Sequence, residues 1–195
     1  MGAEEAEAEA APKEAVWFPT VQTHLRRRAE VEADLLSYYK AVNTHNRQAF
    51  ADRTPPPVAA GQASYVGVEV CSACHPGPRE VWNKTSHSRA YATLSQQFKE
   101  FNLECVGCHV TGYEQPGGST VTHVDTLKDV GCEVCHGPGS RHVASPTDKS
   151  LIIGAPAPSM CVSCHHPPHV EQFDPVAKLP EILGPGHGMP AATKN

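Results

Sequence analysis

The 195-residue sequence is poor in aromatic residues and contains no long apolar run. Phe, Trp and Tyr make up 6% of the chain, whereas there are 15 Gly and 18 Pro. Side chains alone therefore offer little apolar surface for a core. No apolar run approaches the roughly 18–20 residues that a transmembrane helix needs, so we expect no membrane span.

The chain also lacks an excess of positive charge. Its formal net charge is −5, which makes nucleic acid an unexpected partner. Residues 1–15 alternate Ala and Glu, a composition that predicts a disordered acidic tail. The N-terminus has no basic segment followed by an apolar one, so we expect a secretory signal or an upstream domain to have been removed before residue 1.

What the chain does contain is cysteine in one repeated pattern. All 8 Cys lie in four copies of Cys-x-x-Cys-His, beginning at Cys71, Cys105, Cys132 and Cys161. Two thiols three positions apart can add to the two vinyl groups of one porphyrin, and the next imidazole can bind its iron. Zinc ribbons, iron–sulfur sites and disulfides also use Cys-x-x-Cys, but none requires His after every second Cys. The pattern therefore predicts four covalently bound c-type haems.

The motifs assign twelve site residues directly. Thioether attachment falls to Cys71, Cys74, Cys105, Cys108, Cys132, Cys135, Cys161 and Cys164, and proximal iron ligation to His75, His109, His136 and His165. Four porphyrins would supply the apolar surface that the side chains lack. We therefore expect a mainly α fold with extensive loops, in a compact tetrahaem domain organised around covalent haems.

Eight further histidines are available for the distal sides of the irons. An imidazole on both sides saturates iron, which suits electron transfer and leaves no place for substrate. His87 heads an apolar helical face formed with Ala90, Tyr91, Leu94 and Phe98, after a cap at Thr85 or Ser86. His142 follows the Gly-Pro-Gly-Ser turn at 137–140, and His187 lies between glycines after Ile182 and Leu183. These three are our first distal candidates.

One iron then remains, with several candidates. His169, held after Pro167-Pro168, is preferred narrowly, and His123 is its substitute. His166 directly follows a proximal ligand, so it could serve only a neighbouring haem. Met160 and Met189 are weaker alternatives as axial thioethers.

The segment before the motifs divides into two parts. Val31, Leu35, Tyr38 and Val42 recur at steps of 4, 3 and 4, which predicts a helix over about 20–50, and three prolines at 55–57 end it. We therefore expect a tail at 1–15, a helical segment with a Pro-rich linker at 16–62, and the tetrahaem cytochrome domain at 63–195. The motifs start 34, 27 and 29 residues apart, which is too irregular for a solenoid.

From Tyr65 to His187 the chain resembles the cytochrome c-554 family. The resemblance lies in Tyr65-Val66-Gly67, in Trp82 with Thr85 and His87, and in the second motif followed by Gly112 and Gly117-Gly118. It is strongest over 130–139, Val-Gly-Cys-Glu-Val-Cys-His-Gly-Pro-Gly.

The resemblance implies a mostly helical tetrahaem fold with closely stacked haem pairs that carries electrons between periplasmic redox proteins. It also implies that His142 ligates the first haem, His87 the third and His187 the fourth. The family's named member leaves its second haem without a distal ligand. His169 and His123 have no obvious counterpart there, so this chain departs from the pattern at the second iron.

The leading functional hypothesis is an electron carrier, not an enzyme, whose four mostly bis-His haems relay electrons between a redox donor and an acceptor. Haem propionates add negative charge, so the partner could present a basic patch. Haem attachment requires export, which predicts a periplasmic or extracellular protein. One alternative is a reductase of nitric oxide, nitrite or hydroxylamine at an open second haem. Another is a conducting filament in which His24 or His45 ligates iron in the next subunit.

Overall fold

The computed structural model of the chain describes residues 29–184 and His187. Within them the regular structure consists of eight α-helices, joined by loops and 3₁₀ turns, and there is no β-strand. The helices are α1 (Ala29–Ala49), α2 (Val68–Ser72), α3 (Pro76–Trp82), α4 (Ala90–Ser95), α5 (Leu103–Val106), α6 (Cys132–His136), α7 (Ser140–Ala144) and α8 (Pro175–Lys178). The 3₁₀ turns are Ser86–Arg89, Asp125–Leu127, Lys149–Leu151, Pro158–Ser163 and Leu179–Glu181. The predicted fold class, mainly α with extensive loops, is confirmed.

Helix α1 confirms the predicted N-terminal helix over its described part. It has acidic residues in its first turn and Arg47 in its last, an arrangement that favours the helix dipole. Only its C-terminal half packs on the body, so the predicted apolar face is exposed at Val31, Leu35 and Tyr38. Residues 20–28 of the predicted helix, and the predicted tail at 1–15, lie outside the described residues.

The remaining helices are short because Gly and Pro interrupt the chain. Pro76 and Pro175 each stand in the first turn of a helix, where the missing N–H costs no hydrogen bond. The predicted helix after Thr85 is also shorter than expected, since α4 ends at Ser95. Phe98 lies beyond it with a φ of 56° and is exposed, so it does not extend the apolar face.

A small aliphatic cluster lies beside the second motif. It is formed by Val106, Val110, Val121 and Val124, and Phe50, Tyr91, Phe101 and Tyr113 pack against it. The loop that follows the motif folds back on itself through a tight turn at Gly112, whose φ is 65°. A Cβ at Gly112 would lie 2.7 Å from Cζ of Tyr65, so only glycine fits there. This cluster fixes the second motif to the end of α1.

Candidate haem centre

Each Cys-x-x-Cys-His motif starts in a helical turn. The third motif fills α6, while the first and second begin in α2 and α5 and the fourth in the turn Pro158–Ser163. Helical bonds from His75 N–H to Cys71 O (3.0 Å) and from His165 N–H to Cys161 O (2.9 Å) close two of the motifs. Residues three apart on a helical turn lie on one face, so the two thiols of each motif point the same way.

Three predicted distal histidines each lie opposite a motif histidine. An imidazole–metal bond is about 2 Å long, so two such bonds and the two ring radii would separate ring centroids by about 6 Å. The observed centroid separations fit an iron between the rings: 6.4 Å for His75–His142, 6.0 Å for His87–His165 and 6.3 Å for His136–His187.

In two of these pairs, the distal candidate faces a different motif from the one that the resemblance implies. With the motifs counted along the chain, His142 faces the first, as expected. His87, however, faces the fourth motif at His165, and His187 faces the third at His136. The expected assignment of His87 to the third haem and His187 to the fourth is therefore wrong in this geometry. The reason is that α3 and the turn Ser86–Arg89 carry His87 towards the end of the chain, beside Pro158–Ser163.

Backbone carbonyls orient two of the proximal rings. Nδ1 of His136 lies 2.6 Å from Ile153 O, and Nδ1 of His109 lies 2.6 Å from Ala90 O. A carbonyl oxygen only accepts hydrogen bonds, so Nδ1 donates and the lone pair of Nε2 is left for iron. Both rings therefore present the nitrogen that haem ligation requires.

Burial also favours the ligating form of several rings. It lowers the pKa of His87, with a further contribution from His165, and it lowers the pKa of His165 itself. Burial is likewise the main cause of the lowered pKa of His187. A lowered pKa keeps imidazole neutral near pH 7, and only the neutral ring can bind a metal.

The fourth motif opens onto a cavity of about 420 Å³. His87 and His165 stand on its walls with Cys161, and Leu179 and Ile182 supply apolar surface. Phe173 also lines the cavity and stacks on His165, with centroids 4.2 Å apart and planes 8° from parallel. No sequence pattern indicates a role for this Phe, because its contact depends on a turn of the chain after the motif.

The second motif is arranged differently. In the described part of the chain no imidazole faces His109 as in the other three pairs. His123 lies instead against Thr122, with Nδ1 3.1 Å from its hydroxyl, at the junction with α1. His169 is exposed. The structure brings neither His123 nor His169 opposite a motif ring, and their role at the second iron remains a prediction.

Other candidate ligands are dispersed. His45 is exposed on α1, and Nδ1 of His166 is 2.7 Å from Pro167 O. Met160 is half-buried just before the fourth motif. His24 and Met189 lie outside the described residues.

Contacts between cysteines show which motifs are neighbours. Interaction with Cys132 of the third motif raises the pKa of Cys71 in the first motif, and the same interaction lowers the pKa of Cys132. Burial chiefly raises the pKa of Cys108, and interaction with Cys164 of the fourth motif adds to the rise. Burial also raises the pKa of Cys135, and the charges of Cys161 and Cys164 contribute. In space, the motifs therefore follow the order first, third, fourth, second.

Comparison with known proteins shows which family this chain is similar to. Residues 70–137, which include the first three motifs, match the family model described as cytochrome c554 and c-prime. The resemblance to the cytochrome c-554 family is thereby confirmed over residues 70–137. A relative named cytochrome c-554, from Nitrosomonas europaea, is 35% identical over 96 residues. That match covers 41% of this chain and 41% of the relative, and no solved structure matches the chain.

The cytochrome c-554 match implies haem c and its iron as the cofactor, and the paired imidazoles fit that group. Among residues 29–184 and 187, no helix is both long enough and apolar enough to cross a membrane.

One buried residue in the matched range 70–137 has no role assigned from the sequence. This is Glu133, only 3% exposed, inside the third motif. A charged side chain is rarely so deeply buried without a partner, so this burial points to a structural role. In the sequence, the position of Glu133 between the two cysteines of a motif was the signal that could have indicated this role.

Proposed function

We propose that the chain is an electron-transfer protein that carries four covalently attached haems and relays electrons between redox partners. The observation that carries this proposal is the set of three imidazole pairs, each joining a motif histidine to a remote one at 6.0–6.4 Å. Two imidazoles on one iron keep its ligands unchanged between redox states, so little reorganisation opposes electron transfer. The iron of haem c supplies the one-electron chemistry when it is bound.

The contacts between motifs support a relay. Cys71 interacts electrostatically with Cys132, Cys135 with Cys161, and Cys164 with Cys108. Cofactors attached at these positions would form a continuous row with the first and second motifs at its ends. Such a row supports a relay of electrons through all four sites.

The proposal includes an exported location and charged partners. Thioether attachment belongs to oxidising compartments, which favours the periplasm or the exterior of the cell. The net charge of −5 suits a donor or acceptor with a basic surface. Association with such a partner should weaken as ionic strength rises, because salt screens surface charge.

The test uses the natively matured protein. Pyridine haemochrome absorbance and intact mass should both give four haems per chain. Electron paramagnetic resonance of the oxidised protein should show at least three low-spin ferric haems. A mass equal to the bare polypeptide, or high-spin signals from most haems, would overturn the proposal.

The second motif supports a second candidate, reduction of a small nitrogen oxide or hydroxylamine at its iron. His109 is oriented by Ala90 O, while the nearby His123 is held by Thr122 and not opposite His109. An iron bound only on the His109 side could accept a small molecule. A high-spin ferric signal that shifts on addition of nitrite or hydroxylamine would support this activity, whereas four low-spin haems would rule it out.

A further inference from the structure

Glu133 carries a buried carboxylate whose partners are all backbone N–H groups in the described structure. Its Oε2 accepts from Gly67 N–H at 2.8 Å, and its Oε1 accepts from Gly139 N–H at 2.8 Å. Val66 N–H lies 3.0 and 3.1 Å from the two oxygens. A carboxylate can satisfy three converging donors, whereas an amide would turn its own donor towards one of them.

The three donors belong to two segments that serve the two sides of the first haem site. Gly67 precedes α2, which carries Cys71 of the first motif. Gly139 precedes α7, which carries His142, the ring opposite His75. Glu133 itself lies in α6 between the two cysteines of the third motif. One side chain therefore joins the proximal and distal sides of the first haem site to the third site.

A second, uncharged connection joins two of the same segments. Ser64 N–H donates to Ser140 Oγ at 2.8 Å, and Ser140 N–H donates to Ser64 O at 3.1 Å. The Ser64–Ser140 pair aligns the segment before α2 with the start of α7. It adds no charge, so it allows alignment and electrostatics to be separated by mutation.

We propose that Glu133 is a positioning residue that holds His142 opposite His75 and places one negative charge between the first and third haem sites. The inference rests on the proposed tetrahaem function and deepens it. A fixed negative charge stabilises ferric over ferrous iron, so Glu133 lowers the reduction potentials of the two nearest haems. Loss of the carboxylate would also leave three buried backbone donors without their acceptor.

The experiment compares natively matured wild-type protein with Glu133→Gln. Potentiometric titration should show an upward shift of one or two haem potentials in the variant. The dithionite-reduced variant should also bind about one more equivalent of carbon monoxide per chain, because His142 is released. Glu69→Gln is the matched control: its carboxylate is 74% exposed on α2 and pairs with Arg79, so neither readout should change beyond a small shift.

Two further variants keep the test decisive. Glu133→Asp retains the charge but shortens the side chain, so it should bind extra carbon monoxide with a smaller potential shift than Glu133→Gln. Ser140→Ala should loosen His142 without moving the potential of the third haem. If Glu133→Gln does not mature, Glu133→Asp provides the same readouts at lower cost to folding.

Unchanged potentials and unchanged carbon monoxide binding in the Glu133 variants would overturn this inference. Haem counting separates that result from failure of the proposed function. Wild-type protein with four haems and an unaltered Glu133→Gln variant would contradict only the role of Glu133. Wild-type protein without haems at the first and third motifs would contradict the proposed function itself.

Discussion

His87 is the ring that faces His165 of the fourth motif, although the two residues are far apart in the sequence. It lies in the turn Ser86–Arg89 and faces His165 across the cavity at the fourth motif. Its half-buried ring has a lowered pKa, chiefly through burial, so it is available as a neutral ligand. The distal side of the fourth iron should therefore depend on this residue.

We expect His87→Ala to convert one low-spin haem to a five-coordinate one. Ferrous five-coordinate haem binds carbon monoxide, so the reduced variant should take up about one more equivalent per chain than the wild type. The midpoint potential of that haem should also rise, because imidazole loss removes electron donation to the iron. Spectrophotometric titration with carbon monoxide provides the measurement. His45→Ala, on the exposed face of α1, is the control, and equal uptake by both variants would contradict the pairing.

Two glycines with similar backbones provide a prediction about packing. Gly112 and Gly61 have φ values of 65° and 76°, but only Gly112 is crowded, by the ring of Tyr65. Gly61→Ala should cost about 1 kcal/mol of unfolding free energy, since it adds only left-handed strain. Gly112→Ala should cost about 1–3 kcal/mol more, because its Cβ also overlaps the ring. Denaturant unfolding of the holoprotein measures both, and equal losses would show that Tyr65 yields without cost.

Among the elements, α1 is attached to the rest of the protein through its last three turns. Asn43 Oδ1 accepts from Phe101 N–H at 3.1 Å, and Asn46 Nδ2 donates to Phe101 O at 2.9 Å. Phe101 packs against the aliphatic cluster beside the second motif. Helix α1, which lies outside the family match, therefore braces the segment that leads into Cys105.

We expect the double variant Asn43→Ala/Asn46→Ala to lose about 1–3 kcal/mol of unfolding free energy, from two hydrogen bonds to Phe101. Because Phe101 precedes α5, the spectrum of the second haem should broaden or shift while the other three stay unchanged. Thermal unfolding and visible spectroscopy provide the measurements. Gln48→Ala removes an exposed amide from the same helix and should leave both readings at the wild-type value.

The elements also show what the sequence could predict. The described part of α1 and the choice of His87, His142 and His187 as rings opposite motif histidines were predictable, because helical periodicity and Gly-rich turns are local. The order of His87 and His187 was not, because it depends on how loops rich in Gly and Pro return to the motifs. The bonds of Glu133 to Val66 and Gly67 join residues that are 67 and 66 positions apart in the sequence, a separation over which motif spacing predicts nothing. The exposed face of α1 was also unpredictable, since periodicity indicates an apolar face but not what covers it.

For the whole molecule, the protein core is small. In the described part of the chain the buried apolar residues are Ala90, Leu94, Val106, Val110, Val121, Val124 and Leu127. The rest of the described chain consists largely of loops and short helical turns. Side-chain burial of this extent cannot offset the conformational entropy of the chain, so the haems should be part of the fold.

We expect a variant with all eight cysteines replaced by alanine to remain largely unfolded. It cannot attach haem, so it loses both the apolar surface and the covalent ties of the holoprotein. Circular dichroism should show no cooperative thermal transition, and limited proteolysis should cleave throughout the motif region. A variant that lacks only Cys161 and Cys164 should keep a cooperative transition at lower temperature. A well-folded haem-free chain would mean that the protein core suffices.

A single short stretch, from His87 to Ala90, is shared by two centres: one residue faces His165 and the other, through its carbonyl, anchors His109. A displacement of His87 would therefore disturb Ala90 and its bond to His109, and a displacement of Ala90 would disturb His87. Occupation of either of these two sites would hold the shared stretch in the position that the other site needs. Assembly at this end of the molecule should consequently be cooperative, with partly loaded species scarce.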